Sequence, residues 1–171
     1  MADTYTLISS ATAGAGGVAS FTFSSIPSTY TDLVIKFSGR GTVSGVQDRI
    51  LISFNGSSTN YTLIWLGDAA GSAISATRSN WGDNHTGYVP AATATANTFG
   101  NYEMYIPNYA GSTNKSVSVD AVMENNSTTN YNGMSAGLWS QTAAITSLTL
   151  TCSTPNFAQY STAYLYGIKN S

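Results

Sequence analysis

The chain has 171 residues, enough for one domain of ordinary size with a buried core. Charged residues make up 8% of it, against roughly 25% in an average globular domain, while 42% are hydrophobic and the formal net charge is −2. That balance excludes the basic footprint of a nucleic-acid binder and the polybasic patch that holds anionic lipid.

Ser, Thr, Asn and Gly stand in for the missing charge, and they suit strands and tight turns better than helices. In chain order, a first strand is expected around Tyr5 to Ser9, followed by a glycine-rich reversal from Gly14 to Gly17. Period-two alternation then recurs at Ala19, Phe21 and Phe23, at Leu33, Ile35 and Phe37 (with Val34 filling the opposite face too), and at Ile50, Ile52 and Phe54. Asn55-Gly56 reads as the turn of a hairpin whose second strand carries Tyr61, Leu63 and Trp65. The stretch from Asp68 to Thr98 is the least regular and reads as long loops with one or two short strands. Alternation resumes at Tyr102, Met104 and Ile106, at Val117, Val119 and Ala121, at Leu148 and Leu150, and at Tyr164, Tyr166 and Ile168. No segment shows a capped 3.6-residue period.

About eight to ten strands without intervening helices must pair mostly antiparallel and need a second sheet over their apolar face. The expected architecture is an all-β, two-sheet antiparallel sandwich, jelly-roll-like, formed by residues 1–171 as one domain. An immunoglobulin-type sandwich comes second, since the single cysteine forbids its buried disulfide.

The search for chemistry returns little. Cys152 ends an alternating run and reads as a buried small hydrophobe. His85, the one histidine, has Asp83 nearby but no nucleophile elbow, so it reads first as an incidental surface residue, then as a loop histidine touching a ligand, and last as a catalytic base. Asp120 and Glu124 are the nearest thing to a carboxylate pair, for glycoside cleavage or for a calcium ion, but at a strand end both read as solvent-facing. One Cys and one His exclude a zinc ligand set, no phosphate-binding glycine motif occurs, and neither a cofactor nor an enzyme activity is expected. Arg40 and Arg49 flank a Gly-rich connection and read as surface charges or partners for Asp48.

The aromatic residues are more informative. Eleven Tyr and three Trp exceed what a core of this size needs, and such residues serve both sugar platforms and protein interfaces. Trp81, His85, Tyr88, Tyr109 and Tyr131 lie in loop-like segments and are the candidate binding contacts, although for each of the four aromatics packing against the body of the domain is the first reading. A sparsely charged, Tyr-rich surface fits two states: one packed against other subunits, or a monomer solubilised by hydroxyls and amides. No apolar stretch reaches transmembrane length, and Met1 to Thr6 lacks a signal-peptide pattern, so synthesis in a reducing cytosol is expected.

Several phrases together carry a resemblance. They include Tyr5-Thr6-Leu7-Ile8-Ser9-Ser10, Ser25-Ile26-Pro27-Ser28-Thr29-Tyr30-Thr31-Asp32-Leu33-Val34, Phe54-Asn55-Gly56, and Tyr105-Ile106-Pro107-Asn108-Tyr109. Later come Gly137-Leu138-Trp139-Ser140 and Thr162-Ala163-Tyr164-Leu165-Tyr166-Gly167-Ile168. Across nearly its whole length the chain resembles β-rich virion structural domains of tailed phages of aquatic bacteria. The resemblance implies a virion location after synthesis in the host cytoplasm, a jelly-roll-like fold and use as a homotrimer, and it brings no catalytic residue. It implies a capsid decoration (cement) protein, partnered with itself and with the major capsid protein, without nucleic acid or membrane. A β-fold that begins at its own Met1 fits a small docking unit. The alternative is a tail-fibre or spike-tip domain that binds host surface glycans through stacked Tyr and Trp.

Overall fold

A computed structural model describes residues 4–79, 85–127, 129–154 and 156–169. Its strands are β1 (Tyr5–Thr12), β2 (Ser20–Phe23), β3 (Asp32–Gly39), β4 (Gln47–Phe54), β5 (Tyr61–Ala69), β6 (Ser72–Ser79), β7 (His85–Pro90), β8 (Gly100–Ile106), β9 (Lys115–Met123), β10 (Tyr131–Trp139), β11 (Leu148–Cys152) and β12 (Thr162–Ile168). They form two antiparallel sheets, one ordered β1-β12-β3-β8-β9-β10-β5-β6 and the other β2-β11-β4-β7. The protein is a two-sheet β-sandwich, all-β as its alternation predicts, with no helix among the described residues. Its two layers are unequal in width.

Twelve strands exceed the expected eight to ten: β10 falls outside every alternating run, and the stretch from Asp68 to Thr98, expected as long loops with one or two short strands, holds β6, β7 and the end of β5. Ala, Ser and Thr alternate there with little contrast in hydropathy, so pattern alone misses the pairing. β6 is recruited by β5 through a turn in which Ala70 (φ 51°) and Gly71 (φ 83°) adopt the left-handed conformation.

The alternating positions meet between the sheets. Phe21 from the small sheet packs on Phe37 from the large one and on Phe157, at centroid distances of 5.7 and 5.2 Å. A second aromatic knot joins Phe54, Tyr61 and Trp139 at 5.7 to 6.2 Å. Each such ring, fully buried, contributes about 1.5–3 kcal/mol of transfer free energy before entropy is counted.

Two expectations change. Phe54 and Tyr61 do not flank a hairpin: β4 and β5 lie in different sheets, and the chain crosses the core between them. Asn55 (φ 51°) and Gly56 (φ 69°) still make the turn, and the Phe54 N–H donates to the Tyr61 hydroxyl oxygen across the gap at 2.8 Å. The phase of the last strand is also reversed. Ala163 and Leu165 point into the core, while Tyr164 is exposed and Tyr166 half-buried on the outer face.

Two cations hold loops instead of making surface pairs. Arg40 donates from Nη1 to the carbonyls of Thr95 (2.9 Å) and Thr98 (3.0 Å), and from Nη2 to that of Ala94 (3.0 Å). Its fork thereby gathers the connection between β7 and β8. Lys115 is fully buried, and its Nζ donates to the carbonyls of Gly111 (2.6 Å) and Thr113.

Candidate functional site

The residues singled out in the sequence separate in space. Trp81 lies outside the described residues. His85 opens β7 opposite Leu51, and its side chain lies outside the described residues. Tyr88 on β7 and Tyr131 at the start of β10 do come together, at a centroid distance of 4.4 Å, with Trp65 of β5 edge-on to Tyr88 at 6.1 Å. Both tyrosines are half-buried, and each turns part of its ring surface toward the other. Tyr109 is not a surface contact: it is wholly buried, and its hydroxyl donates to the Pro27 carbonyl. The reason lies in the turn after β8, where Asn108 (φ 48°) directs the chain back toward the core.

The remaining chemistry is muted. Burial, reinforced by the neighbouring Asp48 carboxylate, pushes the Cys152 thiol well above its usual range, so it stays protonated and unreactive. Asp48 is itself buried and accepts hydrogen bonds from the Arg49 backbone N–H (2.7 Å) and the Ser153 hydroxyl (2.5 Å). Asp120 lies on the outward side of β9, and Glu124, just past the strand, is four residues away, about 13 Å by strand rise. Among the described residues no three His, Cys, Asp or Glu side chains gather as a metal site would require.

The distinctive feature is a surface. The outward positions of the small sheet are mostly polar: Ser20, Thr22, Thr149, Thr151, Ser53 and Arg49, with Leu51 half-buried among them and the Thr22 and Thr149 hydroxyls 3.1 Å apart. The outward face of the large sheet is different. Of the eight large hydrophobic side chains that stand exposed among the described residues, seven are on this face, and only Tyr160 is elsewhere. Met134 is 62% exposed, Ile64 58%, Leu66 57% and Leu7 51%.

Strand register places six of these side chains, all but Tyr5, in two rows across the sheet. One row runs Leu7, Tyr166, Val34 and Tyr105 over β1, β12, β3 and β8, and continues as Ser118, Ala136 and Ile64 over β9, β10 and β5. It carries no charge. The second row runs Ser10, Tyr164, Lys36 and Glu103, then Asp120, Met134 and Leu66, over the same strands. Lys36 and Glu103 form an ion pair within it, while Asp120 faces Glu103 on one side and Met134 on the other. Ser118 and Ala136 are small, so the face sinks into a groove of about 500 Å³ over β9 and β10, walled by Tyr105, Ile64, Leu66 and Met134. The Tyr105 hydroxyl is anchored on Asp32 Oδ2 at 2.8 Å, and that carboxylate acceptor keeps the phenol protonated above its ordinary range.

Sequence reasoning missed this face. Its signals were present: Val34 on the wrong side of its strand, and the unbroken run Tyr61-Thr62-Leu63-Ile64-Trp65-Leu66, where both faces carry apolar residues. Isolated exposed hydrophobics are ordinary, whereas seven on one sheet face are a distinctive concentration. No family model, curated protein or solved structure matches the chain.

Proposed function

We propose that this chain is a bacteriophage virion structural protein that works as a capsid decoration (cement) protein, joining neighbouring subunits through broad, flat contact. The apolar, tyrosine-rich outer face of the large sheet is the observation that carries this reading. A flat two-row surface with few charges matches the buried centre of a protein interface, where charged side chains are depleted and Tyr and Met enriched. It is a poor cleft for a small substrate, because the groove lies open on a sheet face and could not bury most of a ligand's surface. Stabilisation would follow from mass action: a subunit that binds only the assembled shell lowers the free energy of that state.

The test is location and stoichiometry. Quantitative mass spectrometry of purified particles, with a cryo-electron map, should find the chain on the head in proportion to the major capsid protein. A few copies at the tail would replace this reading with the glycan-binding tip, and absence from the particle would end both.

A further inference from the structure

We infer that the outer face of the large sheet pairs with the same face of a second copy of this chain, about a two-fold axis running along β8. The inference rests on the reading of the protein as one that assembles, and it names the first partner.

Sheets that pack face to face lie about 10 Å apart with their strands nearly aligned. An axis along β8 places β3 of one copy over β9 of the other, β12 over β10, and β1 over β5, with each row level with its own equivalent. In the uncharged row Tyr166 then falls over Ala136 and Val34 over Ser118. The Tyr166 ring enters the 500 Å³ groove that the small residues leave, Val34 stays buried within its own copy, and Tyr105 meets its own equivalent on the axis. Leu7 meets Ile64 at the margin. In the other row Tyr164 meets Met134, a favourable sulfur–aromatic pairing. Lys36 falls over Asp120, which supplies the cation that Asp120 lacks across its own strands. Glu103 meets its own equivalent on the axis, flanked by a Lys36 from each copy.

Other face-to-face arrangements fare worse. A two-fold across the strands stacks each strand on itself, setting Lys36 on Lys36 or sliding the charged row over the apolar one. Moving the axis to β9 places Lys36 over Leu66, and moving it between β3 and β8 leaves Ile64 and Leu66 uncovered. Seven strands at about 4.8 Å and two rows of side chains give a footprint on the order of 500 Å² per copy, or ~1,000 Å² in total, the lower bound for a specific interface. The contact is isologous, so it closes as a dimer and not as the trimer that the resemblance implies.

The experiment is light scattering coupled to size-exclusion chromatography on the purified full chain, with sedimentation velocity to obtain the dissociation constant. The wild type should have twice the chain mass. Ala136→Arg, an exposed position where an added side chain leaves the core untouched, should fill the groove and yield a monomer with an unchanged melting temperature. Lys36→Glu and Asp120→Lys should each weaken the dimer tenfold or more, and the double variant should recover most of that loss. A monomeric or trimeric wild type, or a dimer indifferent to Ala136→Arg, overturns the inference; so does a double variant no better than the singles. Failure here with the chain still present on heads leaves the cement reading intact, whereas a dimer absent from particles overturns that reading alone.

Discussion

Replacing Arg40 with Ala removes a single side chain but releases a loop anchored from elsewhere in the sequence. The guanidinium makes three bonds of 2.9 to 3.0 Å to the carbonyls of Ala94, Thr95 and Thr98. A hydrogen bond from a charged donor contributes about 1.5–3 kcal/mol when shielded from water and a fraction of that when wet. Since these bonds are partly solvated, the three together amount to about 2 kcal/mol, equivalent to a melting temperature lower by about 4–8 °C in a domain of this size. Arg40→Lys should recover less than half, because one ammonium cannot reach carbonyls that the two arms of the fork hold separately. The loosening should also be local. Residues 91–93 are tied independently, with the N–H groups of Ala91, Ala92 and Thr93 donating to Val46, Val43 and Gly45. Urea unfolding followed by circular dichroism gives the stability, and hydrogen exchange by mass spectrometry gives the locality. Faster exchange should be confined to residues 94–98. A loss under about 0.5 kcal/mol, the range of ordinary surface substitutions, would refute the assignment of Arg40 as a loop anchor.

Three further outcomes follow from the core. Gly167→Ala should destabilise by about 1–3 kcal/mol, because its new methyl would overlap the ring of Tyr30, which lies over the glycine; chemical denaturation measures it. Cys152 should resist a thiol reagent in the native protein and react only as urea unfolds it, since burial and Asp48 both oppose the thiolate. Alkaline stability should report Tyr61, which burial raises to about 12 while an unfolded tyrosine ionises near about 10. The folded state holds its proton longer, so this contribution is complete below pH ~10 and is lost as pH rises from there toward 12. Tyr102 acts in the same direction, and so does Cys152 from its lower ordinary value, so urea midpoints measured from about pH 7 to 11.5 should begin to fall near pH ~8.5 and fall more steeply above about pH 10.

The site was less legible than the fold, and the reason can be read residue by residue. Local alternation identified Leu33, Ile35 and Phe37, or Val117, Val119 and Ala121, as core, because a strand that buries one face must repeat every two residues. It failed at Tyr164 and Tyr166, where the larger, more apolar-looking phase is the outer one and Ala163 and Leu165 are buried. A period of two tells which residues share a face but not which face is covered. Tyr109 shows the converse, a loop aromatic drawn wholly inside by a turn. Arg40 depends on carbonyls more than fifty residues away, which no local pattern displays.

By itself the sequence determined the class. Its scarcity of charge, its hydroxyl-rich alternation and its positive-φ turns at Gly16, Gly17, Asn55 and Gly56 leave antiparallel sheets as the way to satisfy backbone polar groups around an apolar core. The tertiary structure decided how those strands were shared, eight to one sheet and four to the other, and therefore where surface was left over. Leu7, Tyr166, Val34, Ala136 and Ile64 are scattered over the whole chain and become one row only when register aligns their strands. Cross-strand pairing is a long-range choice made by core packing, and the apolar outer face is its consequence.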